Sequence, residues 1–202
     1  LTVMGVSSLL LSMFMLAPDE PRRSTYAALL LTVAGLALLV AGGLTGLWSG
    51  LAAGWIKALG AALAGLGALF YLADIIEFYR ARKRRHLELN SLTAAVALSL
   101  ITLALVLGAL AMAWGVLERF AGAIGYLFVF GGLTGLGLSQ LYKIIPFLTW
   151  LEVFGKKLGK GPVPRVQDLV NEPRAKSSFA LYFAATVLAS AALASNQAML
   201  WK

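Results

Sequence analysis

The chain has 202 residues, 60% hydrophobic and 13% charged, with mean hydropathy +0.84; against the about 45–50% apolar and about 25% charged residues of soluble domains, this excludes a soluble globule and a disordered chain alike. The lack of Cys removes disulfide scaffolds, thiolate metal sites and Cys nucleophiles, and a single His leaves no imidazole set for a haem or metal centre. The net charge of +8, from 17 Lys and Arg against 9 Asp and Glu, points to a polyanion or to a membrane surface, and its placement along the chain decides between them.

About 20 apolar residues cross a bilayer core, and backbone groups in lipid must bond within their own segment, so long apolar runs are expected as helices. Six runs qualify: 1–17, 25–48, 54–79, 91–115, 120–148 and 177–201. The expectation is an all-α transmembrane bundle of six spans forming a single domain over 1–202. The first run is short and starts apolar at Leu1, with no basic region ahead of it as a signal peptide would have. A piece of a longer chain is the expectation. Met4, Met13 and Met15 are thioethers that Cu(I) accepts, but Met13 and Met15 do not share a helix face. Pro18 and Pro21 end this run before Arg22 and Arg23.

From the end of the second run onward Gly42, Gly46, Gly50 and Gly54 recur every four residues, a spacing that lets helix backbones approach closely. A weak break or hairpin turn is expected from Trp48 to Gly54. The third run carries Gly60, Ala64 and Ala68 at the same spacing, then Asp74 and Glu77 near its end. A basic loop follows with Arg80, Arg82, Lys83, Arg84, Arg85 and the single His86. No aromatic residues are interleaved and the cluster abuts a span end, so it reads as topogenic and headgroup-facing rather than as a nucleic-acid patch.

The fifth run holds Gly131 and Gly135, and the string Gly-Gly-Leu-Thr-Gly occurs at both 42–46 and 131–135. Spans two and five would correspond in an inverted repeat, although five common residues are more readily a coincidence. Lys143 sits near the end of this run, and Trp150 suits a membrane interface. The one long polar stretch, 152–176, contains Pro162, Pro164 and Pro173. Within it Val163, Val166, Leu169 and Val170 fit either a short interfacial amphipathic helix or an ordered loop.

The connections after the first, third and fifth runs hold thirteen of the 17 basic residues, whereas the other side holds Lys57, Arg119 and Lys202. The positive-inside rule then places the odd connections in the cytoplasm and both termini outside, with a bacterial inner membrane as the expected location. Lipids are expected partners and nucleic acid is not. Ionisable groups inside a membrane are the default functional candidates, and only Asp74, Glu77 and Lys143 qualify. Asp74 and Glu77 are three residues apart on one helix; Lys143 is expected to pair with one of them or to snorkel. No catalytic constellation and no phosphate-binding loop is present in the sequence.

The segment Gly-Leu-Ser-Gln-Leu-Tyr-Lys-Ile-Ile-Pro-Phe-Leu-Thr-Trp-Leu-Glu-Val-Phe-Gly at 137–155, with Gly-Pro-Val-Pro-Arg-Val-Gln-Asp-Leu at 161–169, resembles a group of bacterial polytopic proteins. That group is distantly similar to haem–copper oxidase subunit I and NnrS-type membrane proteins. The opening Gly-Val-Ser-Ser-Leu-Leu-Leu-Ser-Met-Phe-Met-Leu at 5–16 is similar to another element of it, with Ser12 where the group usually has Pro. The resemblance implies the C-terminal part of a longer bundle, in which Lys143, Pro146 and Trp150 shape a span end. The histidine ligands of such proteins are absent, so no cofactor is expected in this chain and haem only if an upstream segment or a partner supplies ligands. The expected function is non-catalytic: an accessory or assembly subunit of a respiratory or other energy-converting membrane complex. Alternatives are a small transporter or ion-handling protein using Asp74, Glu77 and Lys143, and part of a haem or metal protein completed elsewhere.

Overall fold

A computed structural model describes residues 23–46, 50–81, 88–157 and 162–200. The expected span 1–17 and the residues Arg82, Lys83, Arg84, Arg85 and His86 lie outside the described residues. Among the described residues all regular structure is helical, and five helical segments are long and apolar enough to cross a membrane. These are α1 (Arg23–Thr45), α2 (Gly50–Arg80), α3 (Leu89–Ala113), a continuous rod from Leu117 to Phe154, and α6 (Glu172–Leu200). The rod comprises α4 (Leu117–Tyr126), a π-helical segment (Leu127–Thr134) and α5 (Gly135–Phe154).

Two boundaries differ from the sequence reading. No break runs to Gly54, because α2 already begins at Gly50. Pro146 lies inside α5 without ending it, and the helix continues to Phe154. Among the described residues between α5 and α6 there are two 3-10 turns, Gly155–Lys157 and Val166–Leu169, and the second occupies the stretch read as either a short amphipathic helix or an ordered loop. The second turn is held by the Arg165 N–H donating to the Asp168 carboxylate at 2.9 Å. α6 then starts on Asn171, whose side-chain oxygen accepts from the Arg174 N–H at 3.2 Å, an N-cap.

Helices form because Ala and Leu dominate and because the hydroxyls satisfy themselves locally. Thr32, Thr93, Thr102, Ser139 and Thr186 each donate to the carbonyl four residues back, at 2.7–3.0 Å. Such back-bonding hides a polar group inside its own helix, which lipid requires. α3 ends in a Schellman motif: Val116 N–H bonds the Ala111 carbonyl and Gly115 N–H that of Met112. Gly115 adopts φ 69°, where a Cβ would be strained, so the turn into α4 needs glycine.

The helices run up and down in succession. On α1 and α2, Ser24 meets Asp74, Gly35 meets Ala64, and Gly42 meets Lys57: one number rises as the other falls. Between α3 and the rod, Glu88 meets Lys143, Ala97 meets Gly135 and Gly108 meets Ile124. Between the rod and α6, Ser190 meets Ala123 and Tyr182 meets Phe130. α1 therefore lies at one edge on α2, α3 is central, and α6 lies at the other edge against α4 and the π segment. The buried core, Ala28, Tyr71, Ile75, Leu98 and Ile101, joins α1, α2 and α3, with Phe128 and Leu136 of the rod packed on it.

Candidate functional site

The antiparallel order brings the start of α1, the end of α2, the start of α3, the end of α5 and the start of α6 to one end of the bundle. Arg23, Arg80, Lys143, Lys156, Arg165, Arg174 and Lys176 belong to it, while Lys57 and Arg119 lie toward the other end. A belt of polar interactions crosses the helices here. Ser24 of α1 donates to the carboxylate of Asp74, which is 3% exposed. The Tyr79 hydroxyl donates to the Ser91 carbonyl and ties α2 to α3. Lys143 of α5 forms an ion pair with Glu88 at the start of α3.

The three sequence candidates are distributed over this belt. Asp74 faces α1, whereas Glu77, about 60° around the same helix, is exposed. Their spacing does not place both carboxylates on the packed side. Lys143 has an acidic partner in Glu88, which the sequence reading did not single out. Glu88 and Lys143 are 55 residues apart, and only the register of α3 against α5 joins them. Ser24, the partner of Asp74, was missed for the same reason.

Beside the ion pair, α3 presents Asn90, Ala94, Ala97 and Ile101 along one stripe; Ala97 and Ile101 lie against Gly135 and Gly132 of the rod. Asn90 is 2% exposed and its amide nitrogen has no hydrogen-bond partner among the described residues. On α5 the Gln140 side-chain oxygen is likewise buried without a partner, one turn before Lys143. These two buried amides lie at the end of the bundle that carries the ion pair. Among the described residues no group of three or more His, Asp or Glu side chains is placed to hold a metal ion.

Glycines set the helix spacing away from the belt. A Cβ on Gly35 would lie 2.5 Å from the Ala64 nitrogen and 2.7 Å from the Gly60 carbonyl oxygen. A Cβ on Gly42 would lie 2.8 Å from Lys57 Cγ, and one on Gly46 would approach the Gly42 carbonyl at 3.2 Å. At Gly131 it would meet Leu100 at 3.1 Å, and at Gly135 it would meet Phe183 at 2.7 Å. The two Gly-Gly-Leu-Thr-Gly strings occupy unlike places, one at the end of α1 and one within and just after the π segment. Gly35 and Gly67, both in the α1–α2 seam, escaped the sequence reading because neither has a small residue four positions away on its own helix.

At the same end Trp150 donates its indole N–H to the Pro164 carbonyl at 2.6 Å and pins the connection back onto α5. Arg80 is exposed. Between α5 and α6 lies a groove of about 600 Å³ with walls that include Leu141, Tyr142, Pro146, Ala175, Phe179 and Tyr182. The edge of the Tyr142 ring meets Phe179 at a centroid distance of 5.8 Å. Compared with known protein families, with characterised proteins and with solved structures, the chain has no match.

Proposed function

We propose that the chain is a non-catalytic multi-pass protein of a bacterial inner membrane and serves as an accessory or assembly subunit of a larger, energy-converting complex. The observation that carries this reading is the position of α6. Only 6% of its most apolar stretch is buried within the chain, against 44% for α2. A helix of 29 residues held along one flank offers its remaining surface to another membrane helix. The segregation of described basic residues to one end supports a cytoplasmic position for that end. The resemblance of 137–155 to the oxidase-like group supports the respiratory setting.

The polar belt favours packing over transport. Asp74 is engaged by Ser24 and Lys143 by Glu88, and the α5–α6 groove is lined almost wholly by carbon. The test is extraction of native membranes in a mild detergent followed by native mass measurement. The chain is expected in a complex of fixed stoichiometry. Recovery as a lone, monodisperse species would refute the reading.

A further inference from the structure

We propose that the groove between α5 and α6 is a binding site for an anionic diacyl phospholipid of the leaflet at the basic end. The groove exists because α6 is tied to the rod farther along and not here. Tyr182 bonds the Phe130 carbonyl and Ser190 the Ala123 carbonyl, whereas toward its start α6 meets α5 through an edge-on Tyr142–Phe179 contact. Ala175 and Ser178, small side chains on the wall of α6, leave the gap open.

The height of the groove matches a lipid headgroup boundary. From Leu117 to Leu138 the rod rises about 32 Å at ~1.5 Å per residue, about the thickness of a hydrocarbon core. The groove spans 138–146 on α5 and therefore lies where acyl chains give way to headgroups.

The groove is an open slot of about 600 Å³ whose walls are almost wholly carbon. Extended hydrocarbon chains fit such a slot, and its apolar walls exclude a polar solute. The Ser178 hydroxyl, the polar group on the α6 wall nearest the mouth, is spent on the Arg174 carbonyl at 3.1 Å.

Charge selects the headgroup. Arg174 lies one turn before Ser178 on the same face and is exposed. Lys176, Arg165 and Lys156 belong to the same end of the bundle. Glu172 pairs with Lys176 at 2.9 Å, so the charge offered to a phosphodiester at this end of the groove is that of Arg174. Basic side chains between transmembrane helices on the cytoplasmic side receive anionic lipids in this way.

The test uses the whole chain, delipidated in a neutral detergent, with phosphatidylglycerol or phosphatidylcholine of the same acyl chains added back. Native mass spectrometry and the thermal midpoint are read. Phosphatidylglycerol is expected to stay bound and to raise the midpoint more than phosphatidylcholine does. Arg174→Gln should weaken phosphatidylglycerol binding about fivefold, the equivalent of roughly 1 kcal/mol per basic residue. Ala175→Leu should weaken it by filling the slot, and Arg119→Gln at the other end should leave it unchanged. Equal binding of the two lipids, or wild-type binding by Arg174→Gln, overturns the proposal. So does full competition by the free headgroup glycerophosphoglycerol, which would mean an anion site without a place for the chains. This proposal is independent of the subunit reading: loss of the complex with lipid binding intact defeats only that reading.

Discussion

A single missing methyl group decides how closely α1 and α2 approach. At Gly35 the atoms that a Cβ would strike belong to the backbone of α2, at 2.5 Å and 2.7 Å, and cannot swing aside. At Gly43, on the same helix, nothing lies within 4 Å. Gly35→Ala should therefore destabilise the protein by about 1–3 kcal/mol, the usual cost of overpacking. Gly43→Ala should be neutral or slightly stabilising, because Ala is the better helix former. Thermal unfolding in detergent compares the pair directly; equal midpoints would show that the seam is not packed as described. Gly42 was visible in the sequence because it belongs to a four-residue series. Gly35 was not, because its role depends on Gly60 and Ala64, which lie some 25 residues away on the neighbouring helix.

At the scale of the element, the polar belt joins helices that the sequence lists only as separate runs. Lys143 and Glu88 hold α5 to α3 near the basic end, each side chain 27% exposed. Removing one charge takes a direct partner from the other, whereas removing both leaves two neutral side chains. Glu88→Gln and Lys143→Met should each lower stability, and the double variant should recover part of the loss. The expected coupling is about 0.5–3 kcal/mol, as for groups in direct contact. Additive losses in a double-mutant cycle would mean that the two helices are held by packing alone. The π segment is another property that the apolar run concealed. Its residues are as hydrophobic as those around it, yet Thr134 donates to the carbonyl five residues back, at 3.0 Å. The Phe130 carbonyl, which already accepts the Gly135 N–H five residues on, takes the Tyr182 hydroxyl of α6 as a second donor. π-helical segments occur as local irregularities within longer helices.

For the whole molecule, the alternation of direction along the chain predicts two chemically different ends. The chain contains no Cys, so single cysteines report without background. Arg165→Cys should react with a membrane-impermeant maleimide only in inverted vesicles. Trp114→Cys, at an exposed position on the turn after α3, should react only from the opposite face. Labelling of both from the same face would overturn the up-and-down arrangement of the spans. Five of the six expected spans correspond to helices, and the sixth, at 1–17, lies outside the described residues.

The run lengths, the helical state and the sorting of basic residues were legible without coordinates, because lipid acts on each segment separately: it demands about 20 apolar residues, internal backbone bonding and charges at the ends. Asp74, Glu77 and Lys143 could be named as polar residues near the membrane by the same rule. Their partners could not. The Asp74–Ser24 and Lys143–Glu88 contacts join residues 50 and 55 positions apart. The α5–α6 groove likewise depends on where α6 is tied and where it is not. Those features follow from the register and splay of packed helices, and apolar surfaces that are alike along each helix leave that register to be decided by small residues and buried polar groups meeting across the bundle.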